Sequence, residues 1–115
     1  MSLPAIKEYR QRMDEYGSKV PHPWGSDYQP VRYSFVSLEG FLNGTLLVQI
    51  LSNMGSAPAK DRIKETVGNL RNLDLGIGSR ISFGPDKHQG SDRVYYTTLE
   101  NKKFVALASW EQWTK

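Results

Sequence analysis

The chain contains no cysteine. That excludes a disulfide framework, a thiolate-ligated zinc site and a cysteine nucleophile. Histidine is almost as scarce, with only His22 and His88, in separate loop segments. No His-Glu-x-x-His pair and no Asp-rich calcium loop accompanies them, so no metal site is expected. Charge is missing from one long stretch: between Tyr33 and Lys60 the only ionised residue is Glu39. Asn43, Gly44, Thr45, Gln49 and Asn53 nevertheless interrupt it, and a helix from Leu38 to Met54 would reach only about 25 Å, short of a bilayer. A membrane span is therefore not expected. No basic–apolar leader opens the chain to direct export, and Met1 to Leu3 are given no structural role.

What is present fits one small domain of 115 residues. Fifteen Lys and Arg against twelve Asp and Glu leave a net charge of +3. The cations are dispersed, so the basic pI of about 9.2 reads as a solvated surface and no nucleic-acid partner is expected. Ile6, Tyr9, Met13 and Tyr16 recur at helical spacing after Pro4, with Gly17 expected to end that helix in the left-handed conformation. Residues 18–33 hold Pro21, Pro23 and Pro30 and are expected to form an extended loop.

The next segment is the most informative. With Ser37 as N-cap, Leu38, Phe41, Leu42, Leu46, Leu47, Val48, Ile50, Leu51 and Met54 cover more than one helical face, which predicts a helix buried on most of its circumference. Gly40 and Gly44, four apart, point to tight packing in that core. A third helix is expected over 59–71 from Ile63, Val67 and Leu70, then a turn over 72–78. Strands follow at 80–83, 93–99 and 104–110, the last two joined by a hairpin turn in which Asn101 takes positive φ. Three helices followed by a short strand set give the chain an α+β appearance.

Catalytic chemistry finds no motif. Gly76-Ile77-Gly78 is too short for a dinucleotide fingerprint, Gly84-Pro85-Asp86-Lys87 lacks the spacing of a phosphate loop, and no nucleophile–base pair stands out. The chain is read as a non-enzyme without cofactor or metal. Glu39 is the charged residue to watch. It either meets a ligand's cationic group in a cleft or, more commonly for such a residue, sits on the positive end of its helix.

Three strings carry a resemblance. The first is Ser34-Phe35-Val36-Ser37-Leu38-Glu39-Gly40-Phe41-Leu42-Asn43-Gly44. The second runs from Asn53-Met54-Gly55 through Pro58 to Asp61-Arg62-Ile63. The third comprises Asp74-Leu75-Gly76, Ile81-Ser82-Phe83-Gly84-Pro85, His88-Gln89-Gly90-Ser91 and Val94-Tyr95-Tyr96. In this order they resemble the C-terminal part of the periplasmic substrate-binding proteins of branched-chain amino acid ABC transporters, from about Ile6 to Trp110. The resemblance implies an α/β, type I periplasmic-binding-protein fold, of which residues 4–115 would be a single C-terminal fragment, mainly helical over 4–75 and mainly strands over 76–115.

It further implies a non-catalytic solute-binding component for branched-chain amino acids or related amino-acid-like or carboxylate ligands. The parent would be periplasmic and partnered by the transporter's membrane subunits. By position, the ligand-binding candidates are Phe35, Val36, Ser37 and Glu39 at the start of the long helix. Asp86, His88 and Gln89 form a second set, of which His88 is the principal member. The alternative is a stand-alone α+β module binding a protein or polyanion through its basic surface, which salt-sensitive binding would reveal. Because two short helices and a strand pair cannot cover the long apolar helix, self-association as a homodimer is expected, with exchange of the C-terminal strands as a variant.

Overall fold

The computed structural model describes residues 3–17, 31–109 and 111. Helix α1 (Pro4–Tyr16) and helix α2 (Phe35–Met54) come first, then a 3-10 turn, Lys60–Arg62, running into helix α3 (Ile63–Gly68). Strands β1 (Leu73–Asp74) and β2 (Arg80–Ile81) form one antiparallel pair, and β3 (Thr97–Glu100) and β4 (Lys103–Ala106) another. The architecture is α+β, with helices leading and two small antiparallel sheets following. The expected extended loop over 18–33 lies, up to residue 30 and with His22 in it, outside the described residues.

Leu3, expected to have no role, is the N-cap residue of α1: its carbonyl accepts from Ile6 N at 3.0 Å and Lys7 N at 3.2 Å. Pro4 follows at the first helical position, where its missing N–H costs nothing. Gly17 ends the helix at φ −58°, right-handed rather than left-handed, because its N–H still reaches Met13 O. Ala5 and Tyr9 carry the buried face.

Helix α2 begins three residues before the apolar periodicity does. Ser34, not Ser37, is the N-cap: its Oγ accepts from Ser37 N at 3.1 Å, and Ser37 Oγ accepts in return from Ser34 N at 3.3 Å. This reciprocal pair satisfies two of the helix's orphan donors. Phe35 and Val36 face outward at 61% and 80% exposure, so they add nothing to the buried periodicity that marks the start at Leu38. The earlier start also corrects the length. Twenty residues reach about 30 Å, and by length and composition α2 is long and apolar enough to cross a membrane.

The expected burial of α2 is not found. Of its residues only Ile50 and Met54 are buried. Both glycines of the expected tight contact stand in open space, since a Cβ at Gly40 or Gly44 would meet nothing within 4 Å. The physical reason is a shortage of partners. The third helix is shorter than expected, six residues ending at Gly68, because Gly68 and Asn69 stop it before Leu70. The expected turn over 72–78 contains β1, which pairs Leu73 with Ile81 and Asp74 with Arg80. β2 stops at Ile81 rather than 83, β3 starts at Thr97 rather than 93, and β4 ends at Ala106 rather than 110. The hairpin between them turns as expected, with Asn101 at φ 49° and Lys102 at φ 63°.

What core exists is small. Ile50, Met54 and Leu70 are packed by Leu46, Val67 and Phe83. Two arginines lock its edge: Arg62 Nη1 donates to Met54 O at 3.2 Å and Ala57 O at 3.1 Å, closing the C-terminus of α2. Arg71 Nη1 donates to the carbonyls of Gly68, Leu70 and Phe83. A second cluster joins α1 to α2 through Tyr9, whose ring lies 5.9 Å from Phe41 and 6.0 Å from Tyr33. The outcome is an open molecule. Its radius of gyration is 17.6 Å where a compact chain of this length would have about 13 Å. Its accessible surface is 9663 Å² where a folded 13.1 kDa monomer would show about 6,400 Å².

Candidate functional site

The loop between β1 and β2 is where the helical and strand halves meet. Ala5 N donates to Gly76 O at 3.0 Å, tying the first turn of α1 to this loop. Tyr95 Oη donates to Ile77 O at 2.6 Å, tying on the segment that leads to β3. Asp74 Oδ1 accepts from Gly76 N at 2.8 Å and tightens the turn. Gly76 at φ +74° has no alternative: a Cβ there would lie 2.8 Å from Ala5 N.

At this loop lies an open cavity of about 890 Å³, walled by Leu3, by Ile6 of α1, by Phe35, Leu38, Glu39 and Leu42 of α2, and by Ser91, Arg93, Val94, Tyr95 and Thr97. The wall is apolar apart from a few groups. Glu39 and Arg93 bring one charge of each sign, and neither makes an ion pair among the described residues. The Arg93 guanidinium lies 5.2 Å from the Tyr95 ring centre, braced against its face. Ser79 Oγ, also in the lining, is inaccessible to solvent and has no hydrogen-bond partner among the described residues. An apolar hollow with a few converging polar groups is the usual form of a small-molecule site.

The sequence candidates divide between three places. Phe35 and Glu39 line the cavity, and the Phe35 ring also meets Phe104 of β4 edge-on at 5.3 Å. Ser37 is committed to the helix cap and to the Tyr9 hydroxyl. Val36 is 80% exposed and is not part of this cavity's wall. His88 lies in a separate groove of about 540 Å³ with Phe83, Pro85 and Val67, its Nε2 bonded to Pro85 O at 3.1 Å. Asp86 is exposed, and Gln89 Nε2 donates to Ser91 O at 3.0 Å.

Glu39 is the fifth residue of α2 and not part of its first turn, where no acidic residue stands. The helix-dipole explanation therefore lapses, since that effect fades within one turn. Arg93, Ser79 and Tyr95 were not identified from sequence. The glycines at 76 and 78 were the available signal, because a Gly-x-Gly turn marks a place where another backbone or side chain approaches closely.

A charged triad holds the end of α1 to the approach of α2. Arg32 Nη2 lies 2.8 Å from Asp14 Oδ1, and Tyr33 Oη donates to the same oxygen at 2.7 Å. The Tyr33 hydrogen bond, with Arg32 behind it, lowers the Asp14 carboxyl below its ordinary value. The same bond raises the Tyr33 phenol. Compared with protein-family models, curated proteins and solved structures, the chain matches none.

Proposed function

We propose that the chain is part of a solute-binding protein, of the kind that delivers branched-chain amino acids or related carboxylates to an ABC uptake system, and that it binds its ligand without transforming it. The carrying observation is the apolar cavity at the start of α2 with Glu39 and Arg93 on its wall. A ligand with an ammonium group, a carboxylate and an apolar side chain matches that lining. Glu39 would accept from the ammonium, Arg93 would donate to the carboxylate, and Ile6, Leu38 and Leu42 would meet the side chain.

The ordered sequence strings support the same reading, including a type I fold completed by elements outside this chain. The excess exposed surface is consistent with that completion. On this proposal the parent works in the periplasm, and its partners are the ligand and the transporter's membrane subunits.

Titration calorimetry of the chain with leucine, valine, an amine and a simple carboxylate tests the proposal. Saturable heat with the amino acids is expected, and Glu39→Gln should weaken it by about 10- to 100-fold, the loss of one charge-assisted hydrogen bond. A flat response across the whole panel counts against it.

A further inference from the structure

We infer that the solute taken by the cavity at the start of α2 is a short apolar peptide with free termini, not a single amino acid. The inference rests on the reading of that cavity as the ligand site and narrows it to one class of ligand. Size is the first argument. At about 30 Å³ for each non-hydrogen atom, the share a water molecule takes in the liquid, a cavity of about 890 Å³ has room for about 30 such atoms. Leucine brings about nine of them, and a tripeptide of leucine about 25. A lone amino acid would leave most of the apolar wall against water, whereas a small-molecule site encloses most of its ligand.

Main chain without a partner along one wall is the second argument. Leu107 N donates to Tyr96 O at 2.9 Å, just beyond the paired residues Thr97 and Ala106. Before Tyr96 the chain runs on through Val94 and Tyr95, which line the cavity and have no facing strand. Among the described residues, no hydrogen bond reaches the backbone N–H or C=O of either. The Tyr95 hydroxyl, bonded to Ile77 O, holds this stretch to the glycine loop, and Val94 is 66% exposed, so the stretch is both fixed and open. Free main-chain donors and acceptors take an extended peptide by adding it as a strand. A hydrocarbon offers them nothing, and a free amino acid has no internal amide. The charges complete the match. Glu39 and Arg93 line the same cavity and make no ion pair with each other among the described residues. A peptide carries its ammonium and its carboxylate at opposite ends, where a free amino acid holds both on one carbon.

Titration calorimetry of the chain with leucine, trileucine and three modified trileucines tests this. The modified peptides are acetylated at the N-terminus, amidated at the C-terminus, or methylated on the central amide nitrogen. Trileucine should bind at least tenfold tighter than leucine, and each modification should weaken it about tenfold, the loss of one hydrogen bond. In Glu39→Gln the acetyl group should cost nothing further, and in Arg93→Gln the same should hold for the amide, with helical circular dichroism checking that both variants fold. The peptide series on the unaltered chain decides the matter without either variant. Leucine bound as tightly as trileucine, or trileucine indifferent to its termini or to its central methyl group, would overturn the inference and leave the solute-binding reading standing. No heat from leucine or from any peptide would overturn both.

Discussion

Replacing Gly76 by alanine tests the joint on which both the fold and the cavity depend. At φ +74° an L-residue is strained by about 1–2 kcal/mol. The new Cβ would sit 2.8 Å from Ala5 N and 3.2 Å from Pro4 Cβ, both on the rigid first turn of α1, so the loop must withdraw. Withdrawal lengthens the Ala5 N–H···O=C Gly76 bond, now 3.0 Å, for a further loss of about 1 kcal/mol. Reduced freedom of the unfolded chain returns about 0.4–1 kcal/mol. The net expectation is a destabilisation of about 2 kcal/mol, a large share of a typical 5–15 kcal/mol margin. Urea unfolding at constant slope measures it. Gly84→Ala is the control, because its Cβ would find its nearest atom at an ordinary 3.6 Å and its φ is not positive. If Gly76→Ala unfolds within about 0.5 kcal/mol of that control, the close approach does not hold the loop and the reasoning is wrong.

Three further outcomes follow from particular contacts. Tyr9→Phe removes the hydroxyl that accepts from Ser34 N at 3.0 Å and bonds Ser37 Oγ, and should cost about 1–2 kcal/mol in thermal or urea unfolding. Ser34→Ala should cost about 1 kcal/mol by uncapping α2, with faster amide exchange concentrated at its N-terminal turn. Acid should weaken the α1–α2 joint. Asp14 is depressed in the folded chain, so its stabilisation is present above the unfolded value of 3.8 and lost as pH falls through the lower folded one. Tyr33 is raised, so its share is present below 10.0 and lost as pH climbs through the higher folded value. Asp14→Asn should flatten both limbs in a pH series of melting temperatures.

The most consequential property of the molecule is how little of α2 it covers. Leu47, Val48 and Leu51 remain exposed while Ile50 and Met54 are buried on the same helix. A short α3 and the Leu70–Phe83 region shield one side of its C-terminal half. At roughly 25 cal/mol for each Å² of apolar surface, further covering of this helix is strongly favoured.

The sequence alone determined the elements whose signals are local. Apolar spacing and Pro4 located α1, the apolar stretch ending at Gly55 located α2, and Asn101 located the hairpin turn. Each rests on backbone preferences or a periodicity that a few neighbouring residues fix. Tertiary structure decided what depends on distant partners. That α2 is capped at Ser34 and not at the expected Ser37 goes with a long-range contact, since the Tyr9 hydroxyl of another helix bonds both Ser34 N and Ser37 Oγ. The two-residue strands β1 and β2 are too short to show alternation and exist because Leu73 and Ile81 pair across a glycine turn. That Glu39 and Arg93 line the same cavity could not be read from the sequence, since it depends on the loop at 76–77, to which Ala5 and Tyr95 are both hydrogen-bonded. Burial was the least legible property of all. Periodicity records that a helix is apolar, whereas its covering depends on whether other elements have the length to reach it.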